Sequence, residues 1–243
     1  MNQYEIINGD MFNELPKLAK SERKFGALVS DPPYCSGGMS PASTTSSRGL
    51  RKYIERDDLG TFNDSMSQRA YTLYTSEWLR LARCCLKENA YFFIFTDWRQ
   101  SPAVSDAVMI AGYTWRGTAV WDKTHCRPNK GYISRTAEFI IWGTVGNRTS
   151  GKVQSKGVFS FSAPASSVRI HPTEKRWEVF AELYKVLPDD AESVLDPFAG
   201  SAPAGVAALR CGLDYVGIEA EERYADVSTE RLKKVQTELR NSF

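Results

Sequence analysis

The sequence has little of what membrane proteins, disulfide scaffolds and zinc proteins require. Its apolar runs fall short of the roughly 20 residues that span a bilayer, and its first ten residues lack the basic and apolar regions of a secretory signal. Five cysteines without CxxC spacing, beside only two histidines, favour buried free thiols. His125 and Cys126 would need a second ligand pair to hold a metal, so we expect none. We expect a soluble, cytoplasmic protein without a membrane partner.

Charge is divided unevenly along the chain. The 243 residues, 42% of them hydrophobic, suffice for one core, so we predict a single domain over residues 1–243. Residues 123–173 carry eight basic side chains against one acid, Glu138, a net charge of +7. Residues 174–243 carry nine basic and fourteen acidic side chains, a net charge of −5. The basic segment indicates either a surface for a polyanion or a solvated basic face.

Short apolar runs alternate with segments of helical periodicity. The runs YEIIN, FGALVS and AYFFIF predict buried strands, and residues 113–121 and 136–142 predict two more. Apolar steps of three and four residues predict a helix over residues 71–85 and another from near Thr173 to just before Pro188. The remaining alternation is a strand at SVL, a helix at residues 202–211, a strand at YVGI and a helix at residues 222–239. This order predicts an α/β fold, a mostly parallel sheet with helices on both faces.

Two stretches lack this alternation. Residues 35–66 are rich in Ser, Thr and Gly with interspersed arginines, and residues 144–170 contain no acidic side chain. Long segments without regular structure in a compact domain are usually functional or disordered. We expect the first to be a flexible loop insertion that contacts a ligand and the second to be a short recognition segment.

The segment SDPPY, residues 30–34, follows a buried strand directly. Ligands of open α/β sheets bind at the carboxyl ends of strands. The two prolines remove N–H donors and leave carbonyl oxygens that can face a cleft, while Asp31 adds an acceptor and Tyr34 a ring suited to stacking. Such a set suits an aromatic amine, although Asp and Pro are also ordinary turn formers.

A second segment, SVLDPFAGSAPAG at residues 193–205, reads as a strand, a glycine turn and a helix. Gly200 allows close approach of a ligand, and Glu219 at the end of the next strand is placed to bind ribose hydroxyls. The turn lacks the GxGxxG spacing of dinucleotide sites. Either feature alone occurs by chance in many α/β proteins.

Together, SDPPY, DPFAGSAPAG and HPTEKR at residues 171–176 resemble the motifs of the DNA amino-methyltransferases, in the β-group order that places the catalytic motif before the cofactor motif. INGDMFNELPKL, WDKTHCRPNKGYISRTAEFIIWG and YVGIEAEERYADVSTERL resemble further motifs of this family in the expected order. The resemblance covers most of the chain. It departs from the family at Pro203 and Ala204, where small residues followed by Thr are usual, and at Arg176, which replaces a frequent Pro.

The resemblance implies a Rossmann-like methyltransferase fold with permuted motif order and S-adenosyl-L-methionine as cofactor. It implies methylation of the exocyclic N6 of adenine in double-stranded DNA, by in-line transfer to a flipped base, since Asp at the first motif position is commoner in adenine enzymes. The implied catalytic residues are Asp31, Pro32, Pro33 and Tyr34. The implied cofactor-binding residues are Asp10, Asp31, His171, Thr173, Lys175, Asp196, Phe198, Gly200, Ser201, Glu219 and Tyr224. The expected DNA-binding residues are Arg48, Arg51, Lys52, Lys123, Arg127, Lys130, Arg135 and Lys152.

Other functions stay open at this point. A cytosine-N4 enzyme, an RNA or protein-amide methyltransferase and a non-catalytic DNA-binding relative are each compatible with parts of the pattern. The basic segment favours a nucleic acid over a protein substrate. A homodimer and a cognate restriction nuclease are further partners that the resemblance leaves open, as it does the choice between a restriction-modification enzyme and an orphan methylase.

Overall fold

The computed structural model describes residues 2–35, 66–126, 130–131, 133–147, 153–162 and 175–241. The strands in this part of the chain are β1 (Tyr4–Asn8), β2 (Phe25–Ser30), β3 (Leu86–Thr96), β4 (Thr114–Asp122), β5 (Ala137–Thr144), β6 (Val158–Ser160), β7 (Ser193–Asp196) and β8 (Asp214–Glu219). The helices are α1 (Met11–Lys20), α2 (Gln68–Arg83), α3 (Ser101–Ile110), α4 (Trp177–Tyr184), α5 (Pro203–Arg210) and α6 (Glu222–Arg240). None of these described helices is both long enough and apolar enough to cross a membrane.

The described strands form one sheet in the order β1-β8-β7-β2-β3-β5-β4-β6. All neighbouring pairs are parallel except those that involve β5, which runs antiparallel to both β3 and β4. The prediction of a mostly parallel sheet is therefore confirmed, and β5 is the antiparallel exception among the described strands.

Helices cover both faces of this sheet because side chains along each buried strand alternate between two cores. Phe92 and Ile94 of β3 belong to the core under α1, α2 and α3. Tyr91, Phe93 and Phe95 of the same strand belong to the core under α4, α5 and α6. This double coverage explains why β2 is buried at every position and why its sequence is a continuous apolar run.

The chain order creates a crevice at the middle of the sheet. From β7 the chain crosses through α5 to β8 on one side, whereas from β2 it crosses through α2 to β3 on the other side. β7 and β2 are neighbours, so the two crossovers diverge above their carboxyl ends. Asp196 ends β7 and Asp31 follows β2, which places both predicted motifs at this crevice.

Several local predictions needed correction. The helix predicted to begin near Thr173 begins at Trp177, with Arg176 as its N-cap in an extended conformation. α1 and α3 were not predicted, and β6 lies inside the segment for which no periodicity was seen. All five cysteines are free as expected, but Cys84 and Cys211 are exposed rather than buried.

Candidate active site

The DPPY segment is held as a rigid continuation of β2. The Tyr71 hydroxyl of α2 donates a hydrogen bond of 2.9 Å to the carbonyl of Pro33, so this carbonyl is not free as the sequence predicted. Met66 N donates to the carbonyl of Cys35 at 2.9 Å. These contacts fix the backbone on both sides of Tyr34 and leave Asp31 at the mouth of the crevice.

Asp31 belongs to a compact ionic cluster. The Lys175 ammonium lies 3.0 Å from Asp31 Oδ1 and 2.7 Å from Glu138 Oε2, and it is 3% exposed. Lys123 Nζ contacts the other Glu138 oxygen at 3.1 Å. The cluster thus joins the residues directly after β2 and β4 and the second residue of β5 with Lys175, two residues before α4, and it holds two carboxylates and two ammonium groups.

Aromatic rings enclose the buried ammonium. Lys175 Nζ lies 5.3 Å from the Tyr34 ring centre, 5.2 Å from that of Phe95 and 5.5 Å from that of Trp121. Because the ring faces exclude water while attracting a cation, the charge interactions here are stronger than at the surface. Lys175 is followed by Arg176, whose backbone is extended as the N-cap of α4.

The Tyr34 hydroxyl is part of the same cluster. It accepts a hydrogen bond from Lys175 Nζ at 3.0 Å and lies 3.0 Å from Asp31 Oδ1 and 2.9 Å from Glu138 Oε2, either of which can accept its proton. The ring orientation is therefore set by its polar tip as well as by packing.

The charged side chains of the cluster have pKa values that are shifted in different directions. Burial raises the pKa of Asp31, and the Lys175 cation opposes that rise. Burial also acts to raise the pKa of Glu138, but Lys175 and Lys123 outweigh it and lower that pKa to about 2. Burial alone would lower the pKa of Lys175, yet the carboxylates of Asp31 and Glu138 raise it. Lys175 and Glu138 stay charged, so Asp31 is the member of the cluster that can most readily change its charge.

The loop after β7 turns sharply beside this cluster. Gly200 has φ +53° and Ala202 has φ +52°, and Pro203 occupies the first turn of α5. A left-handed conformation favours glycine, and proline is well suited to a helix start. Ala202, directly before Pro203, therefore holds a left-handed conformation that is strained for a residue with a Cβ.

The end of β8 is tied to this loop and to β1. One Glu219 carboxylate oxygen accepts from Gly200 N at 2.8 Å, and the other accepts from Glu221 N at 2.9 Å. The Asp10 side chain caps α1 by accepting from Phe12 N at 2.9 Å, beside the point where Gly9 N bonds to the Glu219 carbonyl at 2.9 Å. Two carboxylates therefore lie at adjacent strand ends next to the glycine turn.

Asp196 has a different environment from Asp31. Its oxygens accept from Phe198 N at 3.1 Å and from the Tyr215 hydroxyl at 3.0 Å. Burial raises its pKa to about 7, against the lowering effect of these two donors, and the charges of Asp31 and Glu219 add to the rise. No cation pairs with Asp196 among the described residues.

The residues around the glycine turn fit a nucleoside-containing cofactor. A Cβ added to Gly200 would meet no atom within 4 Å, so the turn borders open space. Trp78 packs edge-on against Phe198 at 5.3 Å between ring centres. Within the described structure, the Trp78 indole N–H and the Ser30 hydroxyl are buried without a hydrogen-bond partner. Carboxylates for hydroxyl groups and open space beside the turn are what such a ligand requires, whereas the side chains of Trp78 and Ser30 are completely buried.

Ser201 and Tyr224 have structural contacts at this pocket. The carbonyl and hydroxyl of Ser201 accept from Arg231 at 3.0 and 3.3 Å. Tyr224 is buried in the first turn of α6, with the Arg223 guanidinium 5.7 Å from its ring centre. Ser201 lies directly after Gly200 in the turn, and Tyr224 lies at the start of the helix that follows β8.

Three of the expected DNA-binding residues lie in the described part of the chain, each in a different setting. Lys123 belongs to the buried cluster, Lys130 is exposed in a turn, and Arg135 is exposed beside the Trp98 ring. The expected residues outside the described parts of the chain are His171 and Thr173 of the cofactor set and Arg48, Arg51, Lys52, Arg127 and Lys152 of the DNA set. The described residues include no group of three side chains that could hold a metal ion.

Glu138 was missed as a site residue at the level of sequence. The signal was present, because Glu138 is the single acid among residues 123–173. A lone carboxylate in a basic segment is a natural partner for buried ammonium groups. Its partner Lys175 was assigned to the cofactor, whereas its described contacts are with Asp31, Glu138 and Tyr34.

The strand order, the glycine turn with its carboxylates and the DPPY cluster together define an S-adenosylmethionine-dependent methyltransferase. Comparison with known proteins gives the family. A family model described as DNA methylase matches residues 26–156 and 146–230, most of the chain, and the chain belongs to this family of N6/N4 methyltransferases.

Individual relatives agree with this membership. The chain is 27% identical over 96% of its length to the type II methyltransferase M2.LlaDCHI of Lactococcus lactis subsp. cremoris, covering 90% of that protein. It is 25% identical, with the same coverages, to the type II methyltransferase M2.DpnII of Streptococcus pneumoniae.

Solved structures share the fold. M1.HpyAVI in complex with S-adenosylmethionine superposes with a TM-score of 0.69 at 18% identity, over 95% of this chain and 99% of that one. The cytosine-N4-specific PvuII DNA methyltransferase gives a TM-score of 0.69 at 13% identity, over 99% of this chain and 94% of that one.

Proposed function

We propose that this DNA methyltransferase transfers the methyl group of S-adenosylmethionine to the N6 amino group of adenine. The observation that carries the proposal is the position of Asp31 at the end of β2, where its carboxylate is paired with Lys175 at 3.0 Å and keeps 23% of its side chain exposed to the crevice. A carboxylate there can accept a hydrogen bond from an exocyclic amino group.

The neighbouring residue supports this assignment of the base. Ser30 is completely buried at the last position of β2, so Asp31 is the first polar side chain of the motif to reach the crevice. Aspartate at this position is commoner in adenine enzymes, as the family resemblance implies. Because the target amino group lies inside the DNA stack, the base must be flipped out at a cost of a few kcal/mol.

The described residues have distinct roles in this proposal. The Tyr34 ring, held by its hydroxyl, provides a face for the flipped base, and stacking there offsets part of the flipping cost. Glu219 and the Gly200 turn bind the nucleoside part of the cofactor. When bound, S-adenosylmethionine supplies a methyl group already activated by its sulfonium centre.

Asp31 then stabilises the positive charge that develops on the amino nitrogen of the substrate. As the amino nitrogen takes the methyl group, the bond between that carbon and the sulfonium sulfur would break and S-adenosylhomocysteine would be the leaving group. The nitrogen would then be positive, and the fixed Asp31 carboxylate beside it would stabilise that charge. The nitrogen subsequently loses one proton, and Asp31, whose pKa is raised by burial, is suited to accept it. Alignment of nitrogen, methyl carbon and sulfur completes the contribution of the protein.

A direct experiment tests the base. Duplex DNA of mixed sequence would be incubated with the enzyme and S-adenosylmethionine, digested to nucleosides and examined by mass spectrometry. We expect N6-methyldeoxyadenosine. N4-methyldeoxycytidine as the product would contradict the adenine assignment and leave the family intact, whereas methylation of RNA alone would contradict DNA as the substrate.

The proposed contacts for duplex DNA are the residue 35–66 insertion and the residue 144–170 segment. Residues 36–65 of the first lie outside the described part of the chain, and the second is described only at 144–147 and 153–162. The homodimer, the cognate nuclease and the cytoplasmic location stay predictions.

A further inference from the structure

A rigid turn at the carboxyl end of β3 exposes an aromatic ring next to the active site. Trp98 is 52% exposed, although tryptophan is usually well covered in a folded protein. The Asp97 carboxylate accepts from Arg99 N and Gln100 N, each at 3.0 Å, which closes the turn. Since β3 lies beside β2, this turn stands at the same edge of the sheet as Asp31.

The turn is also coupled to the catalytic segment. Gln100 is buried, and its side-chain amide donates to the carbonyl of Cys35 at 3.3 Å, immediately after the DPPY motif. The Gln68 side chain at the start of α2 donates to the carbonyl of Arg99 at 2.5 Å. The position of Trp98 is therefore fixed relative to Tyr34 by hydrogen bonds rather than by chance packing.

Two guanidinium groups lie against the exposed ring. The Arg99 carbon Cζ is 5.3 Å from the Trp98 ring centre and that of Arg135 is 5.6 Å from it. Arg135 precedes β5, whose start pairs with the end of β3, and its guanidinium forms no ion pair among the described residues. An indole that orients two cations at a catalytic cleft suits an anionic ligand with flat apolar groups.

We propose that Trp98, Arg99 and Arg135 form a contact site for the phosphodiester backbone of duplex DNA beside the flipped nucleotide. The proposal rests on DNA being the substrate and adds Trp98 and Arg99 to its binding residues. The two guanidinium groups bind phosphates, and the ring holds them in place. Because the turn is bonded to the DPPY segment, phosphate contacts here also set the position of the strand that enters the active site.

Sheet geometry supplies a matched control. Trp115 is 42% exposed, and it lies near the start of β4, at the opposite edge of the sheet from Trp98. Arg116 follows it and contacts the Thr144 hydroxyl at 3.3 Å. Substitutions there alter the same residue types without touching the proposed DNA surface.

Fluorescence anisotropy with a labelled duplex of random sequence, between about 50 and 200 mM salt, tests the site. We expect Arg135→Ala and Trp98→Ala to weaken binding about 5- to 10-fold at low salt, and Arg135→Ala to reduce the slope of log affinity against log salt by about 1. Trp115→Ala and Arg116→Ala should leave both quantities unchanged. Calorimetric binding of S-adenosylhomocysteine by each variant verifies that the fold is intact.

The outcomes separate this inference from the proposed function. If the wild-type enzyme methylates DNA but the Trp98 and Arg135 variants retain its affinity and salt slope, the contact site is overturned while the methyltransferase assignment stands. A change of oligomeric state in Trp98→Ala with unaltered DNA binding would likewise overturn it in favour of a protein interface. Absence of methyl transfer to any DNA by the wild type would instead contradict the proposed function.

Discussion

Asp31 follows β2 and Asp196 ends the neighbouring strand β7, yet their surroundings differ in kind. Asp31 shares a buried cluster with Lys175, Glu138 and Tyr34, and the ammonium opposes the effect of burial on its pKa. Asp196 receives only neutral donors, Phe198 N and the Tyr215 hydroxyl, and its pKa rises to about 7. In the proposed function the first carboxylate stabilises charge on the substrate, whereas the second accepts a hydrogen bond that holds a loop.

The difference shows how one sheet edge supports two tasks. In the proposed function, the cation beside Asp31 favours the carboxylate anion where positive charge would develop on the substrate, which burial alone would oppose. Without a cation, Asp196 is stabilised in its protonated form and serves as a fixed point for the turn that carries Gly200. Proximity to the crevice therefore does not by itself identify the carboxylate proposed for catalysis.

The largest expected effect is the loss of Asp31. Asp31→Ala removes the acceptor and the stabilising carboxylate, so we expect methylation to fall on the order of 10³-fold. Calorimetry should show that S-adenosylhomocysteine still binds. Asp106→Ala, at an exposed position of α3, is the control and should retain full activity. Full activity in Asp31→Ala would refute its catalytic role.

Removal of the cation should have the next largest effect. In Lys175→Met the Asp31 carboxylate loses its cation and faces the Glu138 carboxylate, which keeps Lys123 as its partner, and we expect about a 10²-fold loss of activity. Lys175 normally lowers the pKa of Asp31, so the acidic limb of the pH–rate profile should move to higher pH.

Glu138→Gln supplies the opposite test, because Glu138 raises the pKa of Asp31 and its removal should move the acidic limb to lower pH. Lys185→Met, which removes an exposed partner of Glu182, is the control for a lost surface lysine. Identical pH profiles in the Lys175 and Glu138 variants would mean that the cluster does not set the charge of Asp31.

Substitution of Asp196 should change the pH dependence of the stability of the fold rather than the rate of methyl transfer. Its folded pKa of about 7 exceeds the ordinary value of 3.8, so the wild type loses stability as pH rises from about 4 to 7. Asp196→Asn lacks this loss, and relative to wild type it should gain about 2 kcal/mol between pH 5 and pH 8. Urea unfolding of both proteins without cofactor measures the difference. A stability difference that does not vary with pH would show that Asp196 is ionised in the folded state.

A smaller effect is expected on the cofactor side. Glu219→Gln removes one of the acceptors that serve Gly200 N and Glu221 N, so we expect about 10-fold weaker binding of S-adenosylhomocysteine. Activity at saturating cofactor should change much less. Glu222→Gln, on the exposed first turn of α6, is the matched control. Unchanged cofactor affinity would remove Glu219 from the cofactor site.

The smallest expected effect is at the hydroxyl of Tyr34. Tyr34→Phe keeps the stacking ring but loses the contacts with Asp31, Glu138 and Lys175, so we expect about a 5-fold reduction in kcat. Tyr34→Ala should in addition raise KM for DNA, because the ring is gone. Equal kinetics in the two variants would show that stacking contributes nothing.

Much of the architecture could be predicted from local patterns. The continuous apolar run of β2, the periodicity of α2 and the alternation of elements after residue 190 each reflect burial, which acts on neighbouring residues of the chain. α1 was missed because Pro16 lies inside it, although an internal proline usually interrupts a helix. α3 was missed because its apolar residues do not form a clear stripe.

The sequence by itself determined the fold class, the two motifs and the placement of Asp31 and Glu219 at strand ends, because strand periodicity and turn residues are local signals. Only the tertiary structure decided that Glu138 and Lys175, 37 residues apart, meet at Asp31 and that Trp98 stands beside Arg135. Those contacts depend on which strands become neighbours in the sheet. Charge pairing and burial then act between residues that are far apart along the chain, and local sequence patterns do not reveal such pairs.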